Sequence, residues 1–411
     1  MMNKLSKIIV LLTFCTAVLC SCKKNDTITL ELFHYKQEII QQLEQVTAEF
    51  TSQNPNIVIH CECIANDSQS ILRTRLKSND GPDIMMLQGY STIFEYARAG
   101  YLVNLTNESF MSNLYPSSLN AVTYEESLYA LPMDMAGIGV IYNKDIFAEL
   151  GLTIPTTVSE LKSICKTISD KGYTPFAVSV ADSWPLGHLF SMGHTAMIGS
   201  NLDQWLFDMD AGAASFAPEQ TDRIFDVLDF ILQNAGANPQ HKTYDDQKSD
   251  FASGKYAMMI QGLWAYGTGA KLINPQLNAG FFAFPFTDDP ADTKLYADTD
   301  STFAIYSYTT PEKIAAAKKF FEFITSHIGN QMWVEKCRLI STIKGANVSS
   351  MDTPYIDFIR YLNQEQTMPW AFSLWPTTVF EQSKKVLKEY CEGKKSRKDV
   401  NEYLTGLWRQ R

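Results

Sequence analysis

Fourteen residues, Phe251 to Trp264 (FASGKYAMMIQGLW), set a flat indole at the end of an apolar run. The run reads as a buried strand that stops at Gly262. Gly262 has no Cβ, so backbone and a bound molecule can approach closely there. Trp264 then stands at a strand end, where open α/β sheets form their ligand clefts. Aromatic rings pack on C–H faces, and hydroxyls prefer planar polar side chains. A site for a polyol therefore mixes Trp and Tyr with Asp, Asn, Gln, Arg or His. Such polar groups stand near the ends of expected strands. Gln88 and Tyr90 follow the run Ile84 to Leu87, and His34 and Tyr35 close a run that begins at Thr27. Asp134 and Asp300 are further acceptors, with turn capping as their other reading. A lone His such as His34 is as readily structural. Of the seven Trp, Trp205, Trp333 and Trp408 sit at helical spacing among apolar neighbours, which points to core packing.

Catalytic constellations are missing from the sequence. There is no G-x-S-x-G, H-E-x-x-H or P-loop, and Gly137-x-Gly139 is an incomplete dinucleotide loop inside an expected strand. Asp298 and Asp300 are too close in sequence to bracket a glycosidic bond from opposite sides without another acid. An enzyme is therefore not expected, and a surface glycosidase is the enzymatic alternative. Repeats and a Pro/Thr-rich stalk, which a structural surface protein would carry, are also missing.

Lys4 and Lys7 precede an apolar stretch, Ile8 to Leu19, too short to span a bilayer. It ends in Leu19-Cys20-Ser21-Cys22, the spacing of a bacterial lipobox. Residues 1–21 are expected to be a lipoprotein signal peptide, Cys22 the lipidated residue, and residues 22–28 a polar tether. The chain has 411 residues, 45% apolar and 12% aromatic, enough for a real core in two domains of ordinary size. The net charge is −10, and loss of Lys4 and Lys7 with the leader takes it to −12. Nucleic acid is excluded as a partner, because it needs a basic face. Eight cysteines are present; without Cys15, Cys20 and Cys22, five remain, so at least one thiol is unpaired. Cys61-x-Cys63 lacks the spacing and the nearby His-x3-His of a zinc site. No metal and no cofactor are expected.

Element order follows from periodicity. A strand at Thr27–Tyr35, a helix at Gln37–Asn54, a strand at Ile57–Ile64, a helix at Ser68–Ser78 and a strand at Ile84–Leu87 make the pattern of a parallel sheet. Thr156 or Thr157 is placed to cap a helix. Helices are expected at Leu202–Met209, Thr221–Ala235 and Pro311–Ser326, and strands at Gly280–Phe286 and Phe303–Tyr306.

The pattern F-x-x-G-K-x-A-M-x-x-x-G-x-W at Phe251–Trp264 resembles the signature of extracellular solute-binding protein family 1, the maltose-binding-protein-like receptors of carbohydrate ABC importers. Gly81-Pro82-Asp83-Ile84, Ala99-Gly100-Tyr101-Leu102, Leu131-Pro132 with Tyr142-Asn143-Lys144, and Pro155-Thr156-Thr157 with Glu160-Leu161 follow in the family's order. The resemblance implies an α/β, two-lobed, type II periplasmic-binding-protein-like fold. Each lobe would be a mostly parallel sheet flanked by helices, with the ligand cleft between the lobes. Lobe 1 would comprise residues 29–136 plus 300–341, and lobe 2 residues 137–299 plus 342–411. Crossings would fall near Ala136, Asp298 to Phe303 and Ile340 to Ile343. It implies ligand contacts from Trp264, Trp184 and Trp375, and from Gln88, Tyr90, His34, Tyr35, Asp300 and Asp134. Trp370 stays open between cleft and core. The implied function is capture of an oligosaccharide or glycoside for an ABC permease by a monomer held at the extracytoplasmic face of the cell membrane through its lipid alone. Glycerol phosphate, a polyamine or a metal chelate are the alternative solutes, and sparse Arg near the candidate site disfavours the phosphate.

Each buried methylene of a lipid contributes about 0.8 kcal/mol, so a multiply acylated Cys22 would hold firmly to a bilayer. Cys22→Ala should therefore release the protein or leave it unprocessed. Metabolic labelling with a fatty-acid analogue checks this, and label persisting on the variant would sink the anchor assignment.

Overall fold

A computed structural model describes residues 27–345, 347–349 and 351–410. The expected leader and Cys22 lie outside the described residues. Three parallel strands open the first sheet: β1 (Ile28–His34), β2 (Ile57–Cys63) and β3 (Ile84–Gln88). The crossover helix Ile40–Gln53 buries Leu43, Val46 and Phe50 at i, i+3 and i+7 against it. A small hairpin, β4 (Thr123–Tyr124) and β5 (Ser127–Leu128), precedes β6 (Leu131–Pro132).

One residue later the chain enters a second sheet through β7 (Asp134–Asn143). That sheet adds β8 (Thr174–Ala177), β9 (Tyr256–Gly262), β10 (Ala279–Phe282) and β11 (Leu295–Thr299). After Asp300 the chain returns to the first sheet as β12 (Ser301–Ile305). It reaches the second sheet again as β13 (Ile340–Ser341) and β14 (Thr367–Met368). The first sheet runs β2-β1-β3-β12-β6 and the second β14-β11-β7-β9-β8, with β10 and β13 also on β7. The result is a two-lobed α/β architecture.

The sheets are mixed where mostly parallel ones were expected. β12 is antiparallel to both β3 and β6, and every neighbour of β7 is antiparallel to it. The cause is the connectivity. β7 carries the chain into the second sheet and β11 carries it out, so they lie side by side in opposite directions, Asp298 facing Ala136.

Local chemistry also moves two expected boundaries. The run from Phe251 does not start a strand. Phe251 ends the helix Tyr244–Ala252, whose start is fixed by a capping box of Thr243 and Asp246. Gly254, at φ +74°, then turns the chain into β9. Trp184 opens the helix Trp184–Ile198, with Pro185 in the first turn, where the proline's missing N–H costs nothing. The strand expected to reach Phe286 leaves the ladder after Phe282, although Phe284 and Phe286 stay buried.

Each lobe has an aromatic centre. Phe50 meets Phe320 edge-on at 5.3 Å, and Phe303 packs on Phe321 and Trp333. In the second lobe Trp205, Phe216 and Trp408 pack together, as helical spacing predicted for Trp205 and Trp408.

The five cysteines of the described residues, Cys61, Cys63, Cys165, Cys337 and Cys391, are all free. Burial pushes the Cys165 thiol up to about 12 and those of Cys61 and Cys63 to about 11. Only thiolates alkylate readily, so Cys165 and Cys337, the two fully buried ones, should resist iodoacetamide at pH 8 until the chain is unfolded. Peptide mass spectrometry before and after denaturation reads this out. Native-state labelling of both would contradict the packing.

Candidate ligand-binding site

The site forms where three strand ends of the first lobe face the second. β1 ends at His34, and Tyr35 and Lys36 follow it before the tight turn Gln37–Ile39. The Lys36 side chain is buried between Asp134, the first residue of β7, and Asp300, the residue between β11 and β12. Its Nζ lies 3.1 Å from Asp134 Oδ2 and also donates to Asp300 Oδ2. Ser301 Oγ donates to the other Asp134 oxygen, and the Asp300 N–H donates to the Asp134 carbonyl at 2.9 Å. Thr342 completes the joint: its hydroxyl donates to the Pro132 carbonyl at 2.7 Å and its N–H to that of Met133. The two acids are thus an ion-pair joint, not turn caps. Burial pushes the Asp134 carboxyl above the usual carboxylate range, against the opposing pull of Lys36.

Beside this joint lies a cavity of about 100 Å³, room for several waters. Tyr35, Glu38, Gln69 and Gln88 line it from the first lobe. Trp184, His188, Tyr244 and Trp264 line it from the second, with Glu381 and Lys384, while Lys36 and Asp300 close the floor. Trp184 meets Tyr244 at 5.0 Å and Trp264 at 6.5 Å, forming one aromatic wall. The Lys36 ammonium is 5.6 Å from the centre of the Trp264 ring, within reach of a cation–π contact. Three polar atoms of this lining are buried and without a hydrogen-bond partner among the described residues: Tyr35 Oη, His188 Nδ1 and Tyr244 Oη. Burial and the nearby Lys384 hold the His188 imidazole neutral, at about 3. Buried polar atoms normally have partners, so this wall is built to meet a polar guest.

The space over Gly262 is taken by the protein itself. A Cβ there would come within 2.2 Å of the Trp264 ring. The indole therefore folds back over its own strand, and the glycine makes room for the ring instead of for a ligand. Gln261 and Gln247 hold this strand end by a side-chain hydrogen bond of 3.2 Å.

Of the residues expected to contact ligand, Trp264, Trp184, Gln88, Tyr35 and Asp300 line the cavity together. The others do not. His34 is fully buried in the sheet, and burial lowers it to about 4, so it is neutral packing. Asp134 lies beneath the floor, fully buried and held by Lys36 and Ser301. Tyr90 donates to Asp298 at 3.0 Å, tying the first lobe to β11 outside the cavity. Trp370 is buried behind the wall, edge-on to Trp264 at 6.3 Å and stacked on Phe372. Trp375 is a correction. The short turn Ala371–Ser373 carries it past the wall into the core, where it packs on Phe216 and His194.

Lys36, Glu38, Gln69, His188, Tyr244, Glu381 and Lys384 were missed. Lys36 and Glu38 follow directly on the strand end that was read, and a charged pair just after an apolar run was the available signal. Tyr244 and the pair from the late helix Thr377–Cys391 arrive from distant segments and carried none.

Residues 36–331 match the family described as bacterial extracellular solute-binding protein. The chain belongs to that family. It is 27% identical to the multiple sugar-binding protein of Streptococcus mutans over 77% of this chain and 76% of that protein. It is 22% identical to the melibiose/raffinose/stachyose-binding protein MelE of Bacillus subtilis, over 80% and 77%. The structure of the solute-binding protein RafE in complex with raffinose shares the fold, with a TM-score of 0.79, 24% identity and coverage of 93% of this chain and 98% of that one. Among the described residues no helix is long and apolar enough to cross a membrane.

Removing one partner of a buried ion pair costs about 3–5 kcal/mol. Lys36→Met would leave two buried carboxylates without their cation, and would push the Asp134 carboxyl further above its unfolded value. A carboxyl raised on folding contributes stability that is present at low pH and is lost as pH rises through the folded pKa. The Lys36→Met deficit should therefore be largest at pH 8 and shrink at pH 5. Denaturant melts of wild type and variant at both pH values test this; a deficit independent of pH would refute the ion-pair account.

Proposed function

We propose that the chain is a lipid-anchored receptor on the extracytoplasmic face of the membrane. It captures an oligosaccharide or glycoside between its lobes and delivers it to the permease of an ABC importer. The observation that carries this reading is the cavity: an aromatic wall of Trp184, Tyr244 and Trp264, with partnerless polar atoms on Tyr244 and His188, faces the partnerless Tyr35 hydroxyl and the amides of Gln69 and Gln88 in the other lobe. Rings take the C–H faces of a sugar, and Tyr35, Gln69, Gln88, His188 and Asp300 take its hydroxyls. The sugar-binding names of the Streptococcus and Bacillus relatives support the same class of solute.

Delivery requires closure, and a ligand drives closure only through contacts that differ between the two states. A guest here touches both sheets at once. The lobes are assigned as residues 29–136 plus 300–341 and 137–299 plus 342–411, working as a monomer, with Cys22 as the anchor. Catalysis is not part of this reading, because the acids of the joint share one ammonium and Asp134 is shut away from the cavity. A glycoside hydrolase needs two carboxyls free to flank the bond.

A thermal-shift screen against neutral glycans, with raffinose, stachyose, melibiose and xylotriose among them, tests the function. A bound member at a hundred times its Kd should stabilise the fold by about 2.7 kcal/mol. Trp264→Ala and Trp375→Ala then separate wall from core. The first should weaken binding at least about tenfold, or 1.4 kcal/mol. The second should cost about 3–5 kcal/mol of stability and leave affinity intact in the folded fraction. Calorimetric titration and denaturant melts decide, and unchanged affinity in Trp264→Ala would take the ring out of the site.

A further inference from the structure

Resting on the sugar-receptor reading, we infer that the cavity selects saccharides without negative charge and that Glu38 is the residue that enforces this. The argument is one of charge and commitment. Two lysines reach the cavity. Lys36 is held by Asp134 and Asp300. Lys384 pairs with Glu381 at 2.6 Å and lies over the Phe380 ring at 4.5 Å. Arginine is missing from the lining. Neither ammonium is free to receive a carboxylate or a phosphate.

Glu38 is the opposite case. It stands half-buried in the cavity wall on the short turn Gln37–Ile39, and makes no ion pair among the described residues. The charged groups that act on it are Lys36 and Lys248, which attract, and Asp300, which repels. Lys248 is itself occupied, by Asp245 at 2.8 Å and by the Tyr244 ring at 4.2 Å. The lining and its floor thus hold three carboxylates, on Glu38, Asp300 and Glu381, against the two ammonium groups of Lys36 and Lys384. A carboxylate accepts only. Glu38 will hold two hydroxyls of a neutral ring, or the ammonium of an amino sugar, whose charge the wall of Trp184, Tyr244 and Trp264 also favours. A uronic acid or phosphorylated sugar would set like charges together with water excluded, where repulsion is least screened.

Calorimetric titration at pH 6.5 of the intact chain compares saccharides of matched length. The arms are raffinose, xylotriose and chitotriose as neutral probes, trigalacturonate as the acid and the glucosamine trimer as the cation. Wild type should bind the best neutral or amino probe at least about a hundredfold more tightly than trigalacturonate. Glu38→Gln, which keeps the shape and one acceptor, should narrow that ratio at least about tenfold and weaken the glucosamine trimer relative to the neutral probes. Trigalacturonate bound by wild type within tenfold of the best neutral probe overturns the inference, whatever the variant does. A ratio unmoved in a folded Glu38→Gln removes Glu38 from the role. Binding of no saccharide of any charge fails the sugar-receptor reading itself, and the inference falls with it.

Discussion

A single buried ammonium holds the two halves of this molecule in register. Lys36 leaves the end of β1 and reaches the two points where the chain changes sheets, Asp134 and Asp300. Moving one ion of that size into a dry interior costs several kcal/mol, and only close partners offset it. The arrangement is costly to break and geometrically demanding, so it fixes where β7 starts and where β12 begins. The cavity floor is the exposed side of the same construction: Lys36 and Asp300 face the space that Trp264 roofs. The joint and the site therefore share atoms, and a guest that contacts Asp300 also touches the ion pair that sets the joint.

Around that floor the wall is assembled from segments far apart in sequence. Trp184 starts a helix buried along most of its length, Tyr244 starts another behind a capping box, and Trp264 follows a strand. Each ring is set by a different local device, yet Trp184 meets Tyr244 at 5.0 Å and Trp264 at 6.5 Å, centre to centre. Trp370 and Phe372 stack behind Trp264 and keep it upright. Rings held this way lose little freedom on binding, which is how a preformed site gains affinity.

Much of the fold was legible in the sequence because its strands are apolar runs broken by turn residues. The first three strands and their crossover helices follow the written pattern closely, and Gln88 could be placed at a strand end from Ile84–Leu87 alone. What the sequence does not display is direction in three dimensions. The antiparallel neighbours of β7 follow from the chain re-crossing, which no local pattern encodes. Trp264 and Trp375 look alike on paper, each a Trp beyond a run of small and apolar residues, yet one faces the cavity and the other the core. A single turn at Ala371–Ser373 makes the difference. Gly262 shows the same limit: its missing Cβ was readable, while the identity of the group that fills the space was not.

The three passages between the sheets have a mechanical meaning. They lie side by side, and Asp134 bonds Asp300 while Met133 and Pro132 bond Thr342 through the backbone and one hydroxyl. A single tether would let the halves twist, slide and swing independently. Three tethers stitched to one another resist torsion and shear, and leave flexing about one axis as the soft direction. The molecule then has in effect one coordinate of motion, an opening angle. Any surface that must tell a loaded receptor from an empty one has only that angle to measure.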